Sequence, residues 1–210
     1  MKKIFSEEII FPLKIYKAIY PLNTSSIIDF LYLHKSKNGG RVISNQGGWQ
    51  CELPLNEPTL HPFINALEYL GKEIFNHEIK IDEIWGNISS KNHHNTPHSH
   101  GYIPFPTGHD NLIKYSGVLY LKAPPGSGGI RFFDLHQMFN YSESYLPQEK
   151  EIIIFPNHLV HGVDTNLINE DRISIAFNIT VMRESFKQFL KTQKPKYTNN
   201  TPQLYTPPTP

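Results

Sequence analysis

From about residue 80 the chain reads as short apolar runs between polar turns: "KIDEIWGNIS", "YSGVLYLKA", "GGIRFFD", "KEIIIFP" and "DRISIAFNITVM". The runs are rich in β-branched and aromatic residues and are punctuated by Gly, Pro and Asn, the composition of strands joined by tight turns. In the last run, Ile173, Ile175, Phe177 and Ile179 fall on one side of an extended chain. Arg172, Ser174, Ala176 and Asn178 fall on the other. One face therefore belongs to a core, and the other is available for chemistry.

The N-terminal part has a different period. Residues 23–35, "NTSSIIDFLYLHK", open with polar capping residues and continue with Ile27, Phe30, Leu31 and Leu33 at helical spacing. A second helix is predicted in "TLHPFINALEYLGKEIF", where Phe63, Leu67, Leu70 and Ile74 repeat every three or four residues. Between them, "GGRVISNQGGWQCELPL" carries two Gly-Gly pairs around a β-favouring run and predicts an extended segment with tight turns. Five β runs after two helices predict a mainly β fold, a β-sandwich or jelly-roll core over residues 80–183 with the helices packed on one face. Residues 1–79 form the helical and extended N-terminal part of the same single domain, 1–190. The remainder, 191–210, is polar and proline-rich and is expected to be a disordered tail, because it cannot bury enough apolar surface to offset the entropy of ordering.

Charge and composition narrow the function classes. Twenty Lys and Arg face nineteen Asp and Glu in 210 residues, with no dense run of one sign, which disfavours nucleic acid as an obligate partner. The opening "MKKIFSEEII" is interrupted by acidic residues before an apolar stretch develops and is a poor secretory signal, and no apolar run approaches a membrane span. A single cysteine, Cys51, excludes an internal disulfide and a multi-cysteine metal site, so a cytoplasmic setting is expected.

The candidate chemistry lies in "HHNTPHSHGY", residues 93–102. On a strand, His98 and His100 would project from one face at i and i+2 and could converge on one metal ion. A third ligand is needed. His161, in "FPNHLVHGVDTN", follows a strongly β run 61 residues beyond His100, and a jelly-roll can bring such distant strands side by side. Arg172 opens the last strand on the face turned away from the apolar set, with Ser174 beside it. Its guanidinium could bind a carboxylate bidentately, which suits a dicarboxylic cosubstrate whose other end chelates the metal. Spacing alone does not distinguish iron from manganese or nickel.

The order H-x-H, "YSGVLYLKAPPGSGGIRFFD", "EIIIFPNHLVHGV", "DRISIAFN" resembles the 2-oxoglutarate and Fe(II)-dependent oxygenases of the double-stranded β-helix superfamily. It is most similar to a group common in bacteria and tailed phages with H-x-H, SG-x-x-Y and FP-x-x-x-x-H signatures. The resemblance spans roughly residues 80–180, and "SNQGGWQ" at 44–50 is a further upstream match. It implies Fe(II), 2-oxoglutarate and O2, with His98, His100 and His161 as iron ligands and Arg172 on the distal carboxylate. Ser174 is implied as a helper, with Tyr120 and Asn87 lining the same cavity. The implied activity is hydroxylation of an unidentified small-molecule or protein substrate.

The chain departs from better-known members, which have H-x-D or H-x-E where this chain has His100. Three neutral ligands leave the charge of Fe(II) uncompensated until the 2-oxoglutarate dianion enters, so weaker metal retention without it is expected. Asp110 or Asp134 is the alternative carboxylate ligand, which would leave His100 beside the centre or against substrate. His93, His94 and His109 are expected to be loop residues, with 101–114 a lid or substrate-facing segment, and His158 stands between a supporting and a surface role. Trp49 and Trp85 are expected to be packing residues, and "PPGSGG" a turn between strands. Two rival classes are a cupin-like metalloprotein that does without 2-oxoglutarate and a non-enzymatic β-sandwich interaction or virion-associated protein.

Overall fold

The computed structural model describes residues 5–10, 13–101, 113–133 and 142–182. Residues 102–112 of the expected lid, with His109 and Asp110, and Asp134 and the tail lie outside these residues. The elements run β1 (Ser6–Ile10), β2 (Leu13–Ile19), α1 (Ser25–Lys37), β3 (Asn45–Gln46), β4 (Trp49–Glu52), α2 (His61–Phe75), β5 (Glu78–Ser89) and β6 (His94–His98). They continue with β7 (Ile113–Lys122), β8 (Ile130–Phe133), β9 (Ser142–Tyr145), β10 (Glu151–Pro156), β11 (Val160–Val163) and β12 (Arg172–Met182).

The strands form two antiparallel sheets. The larger has the order β1-β2-β10-β7-β12-β5-β4, the smaller β3-β6-β11-β8-β9. Ile173, Ile175, Phe177 and Ile179 lie buried against Ile27 and Leu31 of α1 and Phe63, Leu67 and Leu70 of α2. The helices thus cover the outer face of the larger sheet, as the apolar periods predict. A second apolar cluster, including Val118, Tyr120, Phe132, Ile153 and Phe155, fills one end of the space between the sheets.

All five predicted β runs are strands. The hairpin β1-β2 and the strands β6, β9 and β11 add to them. Strand β6, "HNTPH", contains a single β former, Thr96; its order comes from pairing with β3 on one edge and β11 on the other. Strand β12 is paired along both edges, with β5 over Arg172–Met182 and with β7 over Ile173–Val181.

Candidate metal centre

His98 is the last residue of β6, and His161 on β11 is its direct antiparallel partner. The distal histidine therefore arrives by cross-strand pairing rather than by a loop. His100 does not share the strand. The chain leaves the ladder after His98, and the His100 backbone N–H donates to the Asn157 carbonyl at 2.8 Å, which returns the ring to the pair. The two side chains thus come together, but His98 does so from the strand and His100 from the turn after it, not as an i and i+2 pair on one strand.

The three rings face one another. Ring centroids are 4.4 Å apart for His98 and His161, 4.9 Å for His100 and His161, and 5.0 Å for His98 and His100. One ligating nitrogen from each lies within 4.8 Å of the others. The His98 and His100 Nε2 atoms stand 3.1 Å apart, close to the roughly 3.0 Å separating two nitrogens bound at right angles, each about 2.1 Å from an ion. The donor set and its spacing fit a divalent metal with open positions.

Partners on the far side of each ring turn the inner nitrogens inward. The Nδ1 of His98 meets the Thr96 carbonyl at 2.8 Å, and that of His161 meets the Leu159 carbonyl at 2.9 Å. A carbonyl only accepts, so both rings carry their proton on Nδ1 and present a bare Nε2. The Nδ1 of His100 lies 2.9 Å from both the Ser116 hydroxyl and Asn178 Oδ1. Burial lowers the pKa of all three, and His161, buried and flanked by the other two imidazoles, is held well below the ordinary value. Neutral imidazole is the form that binds metal.

One cavity is shared by the three histidines, Arg172, Ser174, Tyr120 and Asn87, so every site residue expected from the sequence meets in one place. Arg172 is 4% exposed. Its Nη1 donates to the backbone carbonyls of Ser127, Gly128 and Asp164, and no carboxylate pairs with it among the described residues. The Asp164 carboxylate is taken by Arg131 instead, at 3.1 Å to both Nε and Nη2. Burial lowers the Arg172 pKa, opposed by Tyr120 and Asp164, and burial raises that of Tyr120. A buried guanidinium with its outer nitrogen fixed by carbonyls is short of a counter-ion, and an incoming anion supplies one. The "PPGSGG" turn is more than a connection. Gly128 has φ +89°, and a Cβ there would sit 2.3 Å from the Asp164 carbonyl oxygen and 2.7 Å from Arg172 Nη1, so only glycine leaves room for the arginine.

One further residue of the cavity wall, Gln50, and three behind the His100 ring, Ser116, Asn178 and Glu83, are not marked as site residues by the sequence. Gln50 of β4 lies directly across from Asn87, which lies across from Ser174, which lies across from Tyr120, so a polar row crosses four strands. Gln50 is 4% exposed and its Oε1 has no hydrogen-bond partner among the described residues. The "SNQGGWQ" match contained it. Ser116, Asn178 and Glu83 form a second row, joined by bonds of 2.7 Å from Ser116 to Asn178 and 2.6 Å from Asn178 to Glu83. Ser116 is the serine of "SG-x-x-Y" and Asn178 was already assigned to the inward face; the partnership with Glu83 needs the β5 register.

The remaining expectations divide. Trp49 packs, donating from Nε1 to the Asn38 carbonyl at 2.8 Å. Trp85 instead faces the cavity, its ring 5.3 Å from that of His100. His93 is a loop residue, as expected, but a half-buried one. Its Nδ1 accepts from the Ser90 backbone at 2.9 Å and its ring lies over Gly47, whose φ of +82° and lack of a Cβ allow the contact. His94 belongs to β6, and His158, half-buried, is not part of the cavity wall.

Residues 83–178 match the profile of the family described as "Putative 2OG-Fe(II) oxygenase". No curated protein matches the sequence. Among solved structures, HygX from Streptomyces hygroscopicus, with nickel, 2-oxoglutarate and hygromycin B bound, aligns with TM-score 0.59 and 12% identity over 80% of this chain and 83% of that one. The viral collagen prolyl hydroxylase of Paramecium Bursaria Chlorella virus-1, in complex with 2-oxoglutarate, gives 0.58 and 14% over 80% and 96%. A Pseudomonas putida prolyl-4-hydroxylase gives 0.56 and 14% over 86% and 94%. At these identities the alignments establish the fold, the double-stranded β-helix. With the family match, residues 83–178, from β5 to β12, form a 2OG-Fe(II) oxygenase family domain on that fold.

Proposed function

We propose that His98, His100 and His161 hold the Fe(II) of this oxygenase and that Arg172 anchors the distal carboxylate of 2-oxoglutarate. The observation that carries the reading is the meeting, in one cavity, of three inward-turned imidazoles and a buried guanidinium that has no counter-ion among the described residues. When bound, Fe(II) with O2 and 2-oxoglutarate supplies the oxidising chemistry that converts a substrate C–H to C–OH, leaving succinate and carbon dioxide.

The chain's own residues bind, orient and exclude. The backbone carbonyls that grip Arg172 Nη1 leave its other donors for the carboxylate, so the diacid is held at a fixed reach from the histidines. Ser174 and Tyr120 add hydroxyl donors beside it. Trp85 packs on the His100 ring and keeps bulk water from that side of the centre. Gln50 and Asn87 extend the cavity wall beyond the diacid toward a small-molecule or peptide substrate, and the bound hygromycin B and the collagen hydroxylase activity of the similar structures favour that range. We read residues 1–190 as one oxygenase domain, because α1 and α2 share a core with the larger sheet. The lone Cys51 fits a cytoplasmic setting, and the motif similarity fits bacterial or phage origin.

The test is Fe(II)-dependent conversion of 2-oxoglutarate to succinate, with and without added substrate candidates. Turnover should require Fe(II) and fall to background in Arg172→Ala. Succinate formation that survives loss of Arg172 contradicts the assignment.

A further inference from the structure

We propose that Glu83 is a positioning residue that sets the metal-binding tautomer of His100, acting through Asn178. The inference rests on the reading of His100 as a ligand and explains how that ring is made fit for it. Two of the three imidazoles are oriented by backbone carbonyls, which cannot donate. His100 has no such guarantee. Its Nδ1 faces a hydroxyl and a carboxamide, and each of those groups can present either a donor or an acceptor.

The direction of the chain is decided at its far end. Glu83 Oε1 receives Asn178 Nδ2 at 2.6 Å, and an ionised carboxylate can only accept. Asn178 must therefore turn its NH2 to Glu83 and its Oδ1 to His100 and Ser116. That oxygen accepts from the Ser116 hydroxyl at 2.7 Å and from His100 Nδ1 at 2.9 Å, which places the ring proton on Nδ1 and leaves Nε2 bare. With a donor at position 83 the amide could turn over, Ser116 could donate to Nδ1, and the proton would move to Nε2. There it would point at His98 Nε2, 3.1 Å away, where the ion belongs.

The three partners are cross-strand neighbours, Asn178 opposite Glu83 on β5 and opposite Ser116 on β7, so the chain is built into the sheet register. It also places a carboxylate two hydrogen bonds behind His100, in a chain whose three proposed ligands are neutral. Hydrogen bonding of this kind raises the basicity of a ligating imidazole.

The experiment uses the full-length, metal-free, 15N-labelled protein. Multiple-bond nitrogen–proton correlations of the imidazoles, assigned by comparison with His100→Ala, report the tautomer. Cobalt(II) titration of the same samples reports affinity. In the wild type His100 should carry its proton on Nδ1. Glu83→Gln should populate the Nε2–H form and raise the cobalt Kd about ten- to a hundredfold. The double variant Glu83→Gln/Asn178→Asp, in which the new aspartate accepts from His100 and the glutamine donates to it, should recover both. A tautomer and affinity unmoved by Glu83→Gln, or a wild-type His100 protonated at Nε2, would overturn the proposal. Should the tautomer respond while the wild type fails to bind cobalt, the metal reading fails and the positioning role of Glu83 stands.

Discussion

The two faces of β12 belong to one eleven-residue strand yet live under opposite rules. Outward, Ile173, Ile175, Phe177 and Ile179 are fully buried under the helices and make only apolar contacts of consequence. Inward, Arg172 and Ser174 are withdrawn from bulk water with a charge and a hydroxyl, and the half-buried Asn178 carries an amide. Burying a guanidinium without an ion partner costs stability, whereas burying isoleucine and phenylalanine supplies it. The difference teaches that the sheet is held from outside so that its inner face can stay short of partners until ligands arrive.

Substitutions on either side should separate the two rules. The largest effect is expected at the centre itself: His161→Ala should reduce Fe(II) uptake to background while the fold survives, checked by anaerobic dialysis and circular dichroism. Next, Arg172→Ala should lower 2-oxoglutarate affinity at least about thirtyfold, the scale of removing one partner from a buried charge pair. Metal should remain bound, and calorimetry with the metal-loaded protein reads both. On the outer face, Phe177→Ala should cost about 3–5 kcal/mol in a urea melt through the cavity it leaves, with unchanged metal stoichiometry in the folded fraction.

Smaller effects follow from titration. Burial holds the three imidazoles below the ordinary value, so in the unfolded chain they protonate first, near pH 6.5 by their usual pKa. Metal-free stability should be level above about pH 7 and fall as pH drops below about 6.5. A melting temperature that rises on acidification would contradict neutral, buried rings. Smallest of all, Ser174→Ala should weaken 2-oxoglutarate about two- to tenfold, the worth of one neutral hydrogen bond, without moving the urea midpoint appreciably.

The same contrast explains what the sequence made legible. Period two in "RISIAFNITV" marks which β12 residues face inward, and helical spacing marks α1 and α2, because both patterns are local consequences of burying one face. His98, His100, His161, Arg172 and Ser174 were legible as chemistry-bearing types at inward or turn positions. Strand β6 was not, since "HNTPH" is extended only through β3 and β11. Nor were the roles of Glu83 and Gln50 legible, because each depends on which residue stands opposite on a neighbouring strand. A single sequence carries alternation within a strand but not the register between strands.

The most direct test is an anaerobic Fe(II) titration with and without 2-oxoglutarate, watching the metal-to-ligand charge-transfer band. The band should appear only when both are present, with Fe(II) held more tightly in the presence of the dianion because the three imidazoles carry no charge. Absence of the band at saturating Fe(II) and 2-oxoglutarate, or its full appearance in Arg172→Ala, would contradict the joint assignment of the three histidines and the guanidinium.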